Sequence, residues 1–127
     1  MLHKLRKVLR DLRIAFMHGK AFKKIEKGNY AEAASLLERL CGEDPEGKNE
    51  YSYFCIGDCY YRLKKYEKAQ KWLKKSFDIY KMNIFEVKNQ RDLRTFSELK
   101  NTYIEVLRIN GQHEVAKMIK SKYKVRS

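Results

Sequence analysis

Tyr51 to Tyr80 reads YSYFCIGDCYYRLKKYEKAQKWLKKSFDIY. In its first half Tyr53, Ile56, Gly57, Tyr60 and Tyr61 recur at helical spacing. Gly57 inside that pattern costs about 1 kcal/mol relative to alanine, and a glycine at such a place lets another backbone approach closely. In the second half Tyr66, Ala69, Trp72, Leu73, Ser76, Phe77 and Tyr80 form another apolar stripe, in which small Ala69 and Ser76 suit close helix contact. A short polar break at Lys64–Lys65 separates the two halves. Helices joined by so short a break lie antiparallel and side by side. One such pair cannot bury both of its faces, so it requires neighbours.

The spacing Tyr53-x2-Ile56-Gly57-x2-Tyr60, followed by Ala69-x3-Leu73, matches W-x2-L-G-x2-Y and A-x3-F. The stretch therefore resembles the tetratricopeptide repeat (TPR), with Tyr for Trp, Ile for Leu and Leu for Phe. Lys81 stands about where the closing proline of that repeat would fall. Met17 to Leu40 resembles a weaker first repeat. Ala21, Phe22 and Ile25 supply its first stripe, Gly28-Asn29-Tyr30 the turn, Ala33-x3-Leu37 the second stripe, and Pro45 the closing proline. It departs at Ala21, where glycine is expected, and at Lys24, where tyrosine is. Phe96 to Tyr123 resembles a third repeat, with Leu99, Tyr103, Ile104 and Leu107, an Asn110-Gly111 turn, and then Val115, Ala116 and Ile119. Here Ile104 takes the glycine position. The resemblance implies an all-α fold, a short right-handed α-solenoid of antiparallel helix pairs with about six or seven helices. We divide this single domain, 1–127, into a leading basic helix (1–13), repeat 1 (14–45), repeat 2 (50–81), an insertion or helix extension (81–93) and repeat 3 (97–123). Gly19 either marks a break after the leading helix or sits in a continuous one.

Spacing isolates the irregular part. Ala33 and Ala69 are 36 residues apart, and the equivalent Ala116 lies 47 further on. The excess of about 13 residues spans roughly 20 Å if helical, at 1.5 Å per residue. It maps to KMNIFEVKNQRDL, residues 81–93, which either extends the flanking helices or forms an ordered loop.

A chain of 127 residues fits one domain with a modest core. One proline, six glycines and no low-complexity tract argue against disorder. No apolar run approaches the ~20 residues of a membrane span. Three cysteines, an odd number, give no disulfide framework and fit a reducing, cytoplasmic setting. CGEDPEGKN, residues 41–49, is a polar inter-repeat loop by composition.

The formal net charge is +13, and it sits at the ends. Residues 1–27 carry Lys4, Arg6, Lys7, Arg10, Arg13 and four further lysines against Asp11 and Glu26; the tail carries Lys117, Lys120, Lys122, Lys124 and Arg126 with no acid. Residues 28–116 are close to neutral. Basic ends attract polyanions such as RNA, DNA or anionic lipid, and they also keep a small protein soluble. Leu2, Leu5, Leu9, Leu12 and Phe16 form an apolar stripe within the first basic segment. The plainer reading packs that helix on repeat 1 with its basic face in water. The alternative lays it on an anionic membrane or makes it a targeting peptide.

No catalytic constellation is present: the chain has no GxSxG, Walker A loop or HExxH. His113 in a turn is a poor general base without an oriented partner. Asp58 and Glu105 read as solvated carboxylates rather than an acid/base pair. Cys55 and Cys59 share a helix face, but structural zinc needs four ligands, and His3, His18 and His113 lack ligand spacing to them. We therefore expect no enzyme, no metal and no cofactor.

In TPR-like folds the first helix of each repeat lines a concave groove in which partners dock as peptides. The resemblance then places Tyr51, Phe54, Asp58, Tyr61 and Arg62 of repeat 2 in that groove. It adds Glu98, Asn101, Glu105 and Arg108 of repeat 3, and His18, Phe22 and Ile25 of repeat 1. The positions that clamp a chaperone's C-terminal carboxylate in some TPR domains hold His18, Phe22, Cys55, Glu98 and Thr102, so that specificity is not expected. The expected function is a protein-protein interaction module, an adaptor or an immunity/antitoxin-like protein that grips a partner through the groove. The alternatives are nucleic-acid association through the basic ends and peripheral membrane attachment through the N-terminal helix.

Overall fold

A computed structural model describes residues 1–45, 49–83 and 90–124. Among the described residues six helices follow one another: α1 (Leu2–Glu26), α2 (Tyr30–Glu43), α3 (Glu50–Arg62), α4 (Tyr66–Asn83), α5 (Gln90–Ile109) and α6 (His113–Lys122). No strand occurs among the described residues. Each helix packs on the next in chain order, and α3 also touches α5. The result is the expected helical-repeat solenoid of three pairs, α1/α2, α3/α4 and α5/α6.

The three turns within pairs are built alike. Gly28 donates its N–H to the Ile25 carbonyl at 2.9 Å, and Asn29 to that of Lys24 at 2.8 Å. Lys64 and Lys65 repeat this on Tyr61 and Tyr60, and Gly111 and Gln112 on Arg108 and Leu107. This is the Schellman closure, in which a left-handed residue satisfies the last carbonyls of a helix. The left-handed residues are Gly28 (φ 80°), Lys64 (φ 61°) and Gly111 (φ 82°). Five residues beyond each stands a fully buried alanine, Ala33, Ala69 or Ala116, which donates to the carbonyl just after the turn, on Asn29, Lys65 or Gln112. Turn and alanine thus share one register, stepping by 36 and then 47 residues.

The core has two centres. Ala21, Ala33, Ala34, Leu37, Leu40, Ile56 and Cys59 fill the seam where α1, α2 and α3 meet. Leu73, Phe77, Phe96, Leu99, Tyr103 and Leu107 fill that of α4, α5 and α6. Burying such a side chain contributes about 1.5–3 kcal/mol. Gly57 joins the two helices of the middle pair. A Cβ there would stand 2.6 Å from Leu73 Cγ and 3.1 Å from the Leu73 backbone nitrogen, the close approach expected of this glycine.

One expectation changes, and one open alternative is narrowed. First, α1 runs unbroken through Gly19 for 25 residues, so the boundary placed between residues 13 and 14 falls inside one helix. The buried residues of α1 are Ile14 and Ala21. At 100° per residue, Ile14 lies on the side of the helix opposite the Leu2–Phe16 stripe. That stripe therefore does not pack on repeat 1: its five members are all more than half exposed. Second, the 81–93 stretch lengthens helices at both ends. It gives α4 its last residues, to Asn83, and α5 its first, from Gln90. Residues 84–89 lie outside the described residues, as do 46–48 of the inter-repeat loop and 125–127.

Candidate partner-binding face

The first helices of the pairs share a face that carries a run of aromatic rings. His18 and Phe22 of α1 have ring centroids 6.2 Å apart. Phe22 meets Tyr51 of α3 edge-on at 5.9 Å, and Tyr51 meets Phe54 edge-on at 6.4 Å. Edge-to-face pairs at this distance are attractive beyond the area they bury. Phe22 and Phe54 are half-buried, whereas Tyr51 is 47% exposed and so offers a ring edge to solvent. The neighbouring Cys55 thiol, and then burial, push the Tyr51 phenol up, with smaller effects from Arg91 and Glu98 of α5. It stays a neutral hydrogen-bonding group at neutral pH.

Further along α3 the polar groups pair off. Asp58 Oδ2 accepts from Arg62 Nε at 3.1 Å, and the Arg62 guanidinium lies 5.5 Å from the centre of the Tyr30 ring. Arg62 therefore ties α3 back to the start of α2. Tyr61 packs on Tyr66 at 6.0 Å, and a hydrogen bond with Glu105 raises its phenol. The four residues chosen from α5 divide. Glu98 acts on Tyr51 only through its charge, whereas Asn101, Glu105 and Arg108 line a cleft of about 680 Å³ between α5 and α6. Arg91, in the irregular stretch, was missed by the repeat pattern because the inserted residues interrupt the register there.

The basic ends also divide. Lys4, Arg6 and Lys7 are exposed. Arg13 pairs with Glu43 at 2.5 Å, and Arg10 donates to the Glu43 carbonyl at 2.9 Å, so these two fasten α1 to the end of α2. Lys117 is exposed, Lys120 and Lys124 line the α5/α6 cleft, and Lys122 lies 5.5 Å from the Tyr123 ring centre.

Burial pushes the Cys55 and Cys59 thiols up to about 12 and that of Cys41 up to about 11. Thiols held protonated are weak nucleophiles and weak metal ligands. Burial, and then the Glu38 carboxylate that accepts its hydroxyl at 2.6 Å, push Tyr60 up to about 12; the pair locks α3 to α2. Among the described residues, no cluster of three or more His, Cys, Asp or Glu is placed to hold a metal, and no helix is long and apolar enough to cross a membrane.

The family model of the anaphase-promoting complex, cyclosome, subunit 3 matches residues 26–87, from the end of α1 through α4. This is a TPR-type repeat protein. Repeats of this type generally serve as protein-interaction domains and do not catalyse reactions. The match covers the TPR pair α3/α4 and the α2 helix before it, where the turn-and-alanine register is most regular. No curated protein matches the chain.

Proposed function

We propose that the protein is a non-catalytic adaptor that binds a protein segment across the face formed by α1, α3 and α5. The single observation behind this reading is the His18–Phe22–Tyr51–Phe54 ring run, which includes a half-exposed tyrosine. A core residue would be covered, and a solubilising surface residue would not be an aromatic ring packed edge-on against others. Tyrosine and arginine are enriched among residues that dominate binding energy, and Tyr51 lies within electrostatic reach of both Arg91 and Glu98. The matched family is named for a subunit of a larger complex, which is consistent with a role in assembly. We place the adaptor in the cytoplasm and leave an immunity or antitoxin-like role as one form of it. Photocrosslinking tests the surface. With p-benzoylphenylalanine at position 51, the partner should crosslink; at exposed position 71, on α4, it should not. Equal yields from both sites would remove the α1/α3/α5 face from the reading.

A second reading has its own observation. The Leu2–Leu5–Leu9–Leu12–Phe16 stripe is exposed on the side of α1 away from α2, with Lys4 and Arg6 flanking it. An apolar helix face bordered by cations suits the interface of an anionic bilayer. Sedimentation with phosphatidylserine vesicles should carry the protein down, and Leu5→Glu/Leu9→Glu should leave it in solution. Identical partitioning of the two proteins would exclude this attachment.

A further inference from the structure

The repeat register assigns a purpose to the α5/α6 cleft. Inside the solenoid, the groove formed by one helix pair receives the first helix of the next: α3 lies on α1/α2, and α5 on α3/α4. The receiving positions are apolar. Leu37 and Leu73 are fully buried in them, Cys41 and Phe77 nearly so, and Ile25 and Tyr61 lie partly covered beside them. Stepping 47 residues from the middle pair puts Lys120 at the leucine position and Arg108 at the Ile25/Tyr61 position; the same count reaches Lys124, two residues past the end of α6, for Cys41/Phe77. All three cations line the cleft, with Lys100 beside them and Ile104 at the glycine position as an apolar floor.

Lys100 is 9% exposed and donates to the Tyr123 carbonyl at 2.8 Å. Among the described residues none of these four cations forms an ion pair, and the acid lining the cleft is Glu105. A seat shaped for a helix thus carries a surplus of positive charge where its two internal counterparts are apolar.

We propose that the basic α5/α6 cleft receives an acidic α-helix from another protein, seated as α3 and α5 are seated but held by charge. Lys100 and Arg108 are eight residues apart on α5, about 12 Å along the axis. The fitting helix therefore carries carboxylates two turns apart on one face, with an apolar side chain between them over Ile104. This surface is separate from the aromatic face, and either can hold without the other.

The probe is a fluorescent, side-chain-stapled peptide of 14 residues with Glu at positions 3, 7 and 10 and Leu at 6, titrated by anisotropy against the full chain. Binding should weaken roughly tenfold in Lys120→Glu/Lys124→Glu, and should change less than twofold in Lys4→Glu/Lys7→Glu, which alters net charge equally at the other end. Circular dichroism of both variants checks that they fold. Equal weakening in the two variants would mean net-charge attraction only and would overturn the proposal. So would equal binding of an unstapled peptide of the same charge interrupted by proline, because no helical seat is then being read. A short DNA duplex binding more tightly than the peptide, with the same loss in Lys120→Glu/Lys124→Glu, would give the cleft to nucleic acid instead.

Discussion

Gly57 shows how much one hydrogen atom can decide. Its missing side chain lets α4 approach until Leu73 Cγ stands 2.6 Å from where a Cβ would lie, and the Leu73 backbone nitrogen 3.1 Å away. The leucine side chain has some freedom to turn aside; the α4 backbone can yield only if the helix moves. Gly57→Ala is therefore expected to destabilise by about 1–3 kcal/mol through overpacking, despite the better helix propensity of alanine. Urea unfolding measures this, and an unchanged midpoint would place the α3–α4 contact elsewhere. Not every such position obeys one rule. Ala21 and Ile104 occupy the same register position and are both buried, so the outer pairs accept side chains where the middle pair does not. The sequence alone marked Gly57 as a contact because helical glycines are costly. It gave no comparable sign that Arg10 and Arg13 would be taken up by Glu43, since that depends on how far α1 leans on the end of α2.

At the scale of the element, the three turns are one design used three times, and the middle one departs from it. Two use glycine for the left-handed residue; the turn from α3 to α4 uses Lys64 at φ 61°. A residue with a Cβ pays about 1–2 kcal/mol there, partly offset by its smaller loss of chain entropy on folding. Lys64→Gly should raise stability by about 0.5–1 kcal/mol, visible as a higher melting temperature. A fall would mean that the Lys64 side chain contributes something its conformation does not reveal. Helices α2, α3 and α6 were readable from stripes and turn residues because local and tertiary preferences agree in them. The unbroken α1 was not readable: Gly19 looks like a breaker, and only the geometry shows that it lies exposed in a helix with nothing near its missing Cβ. The fate of the Leu2–Phe16 stripe was equally hidden, because periodicity reveals that a helix has an apolar face and not what covers it.

For the whole molecule, the register carries both function proposals. It aligns α1, α3 and α5 so that Phe22, Tyr51 and Phe54 meet across two repeats, and it puts a basic cleft on the third pair. Family resemblance implies the groove residues, and the structure sorts them by neighbour: Tyr51 and Phe54 with the rings of α1, Arg62 with Asp58 and Tyr30, and Asn101 and Arg108 with the α5/α6 cleft. That sorting depends on side-chain direction and on the lengthened α4 and α5, which no single repeat pattern contains. The most direct test of the central claim is affinity capture from lysate with the wild type and Tyr51→Ala, each split into nuclease-treated and untreated halves. Tyr51 is exposed enough for the substitution to leave the fold intact. A protein partner should survive nuclease with the wild type and be lost with Tyr51→Ala. A partner retained by Tyr51→Ala, or one lost to nuclease in both, would contradict it.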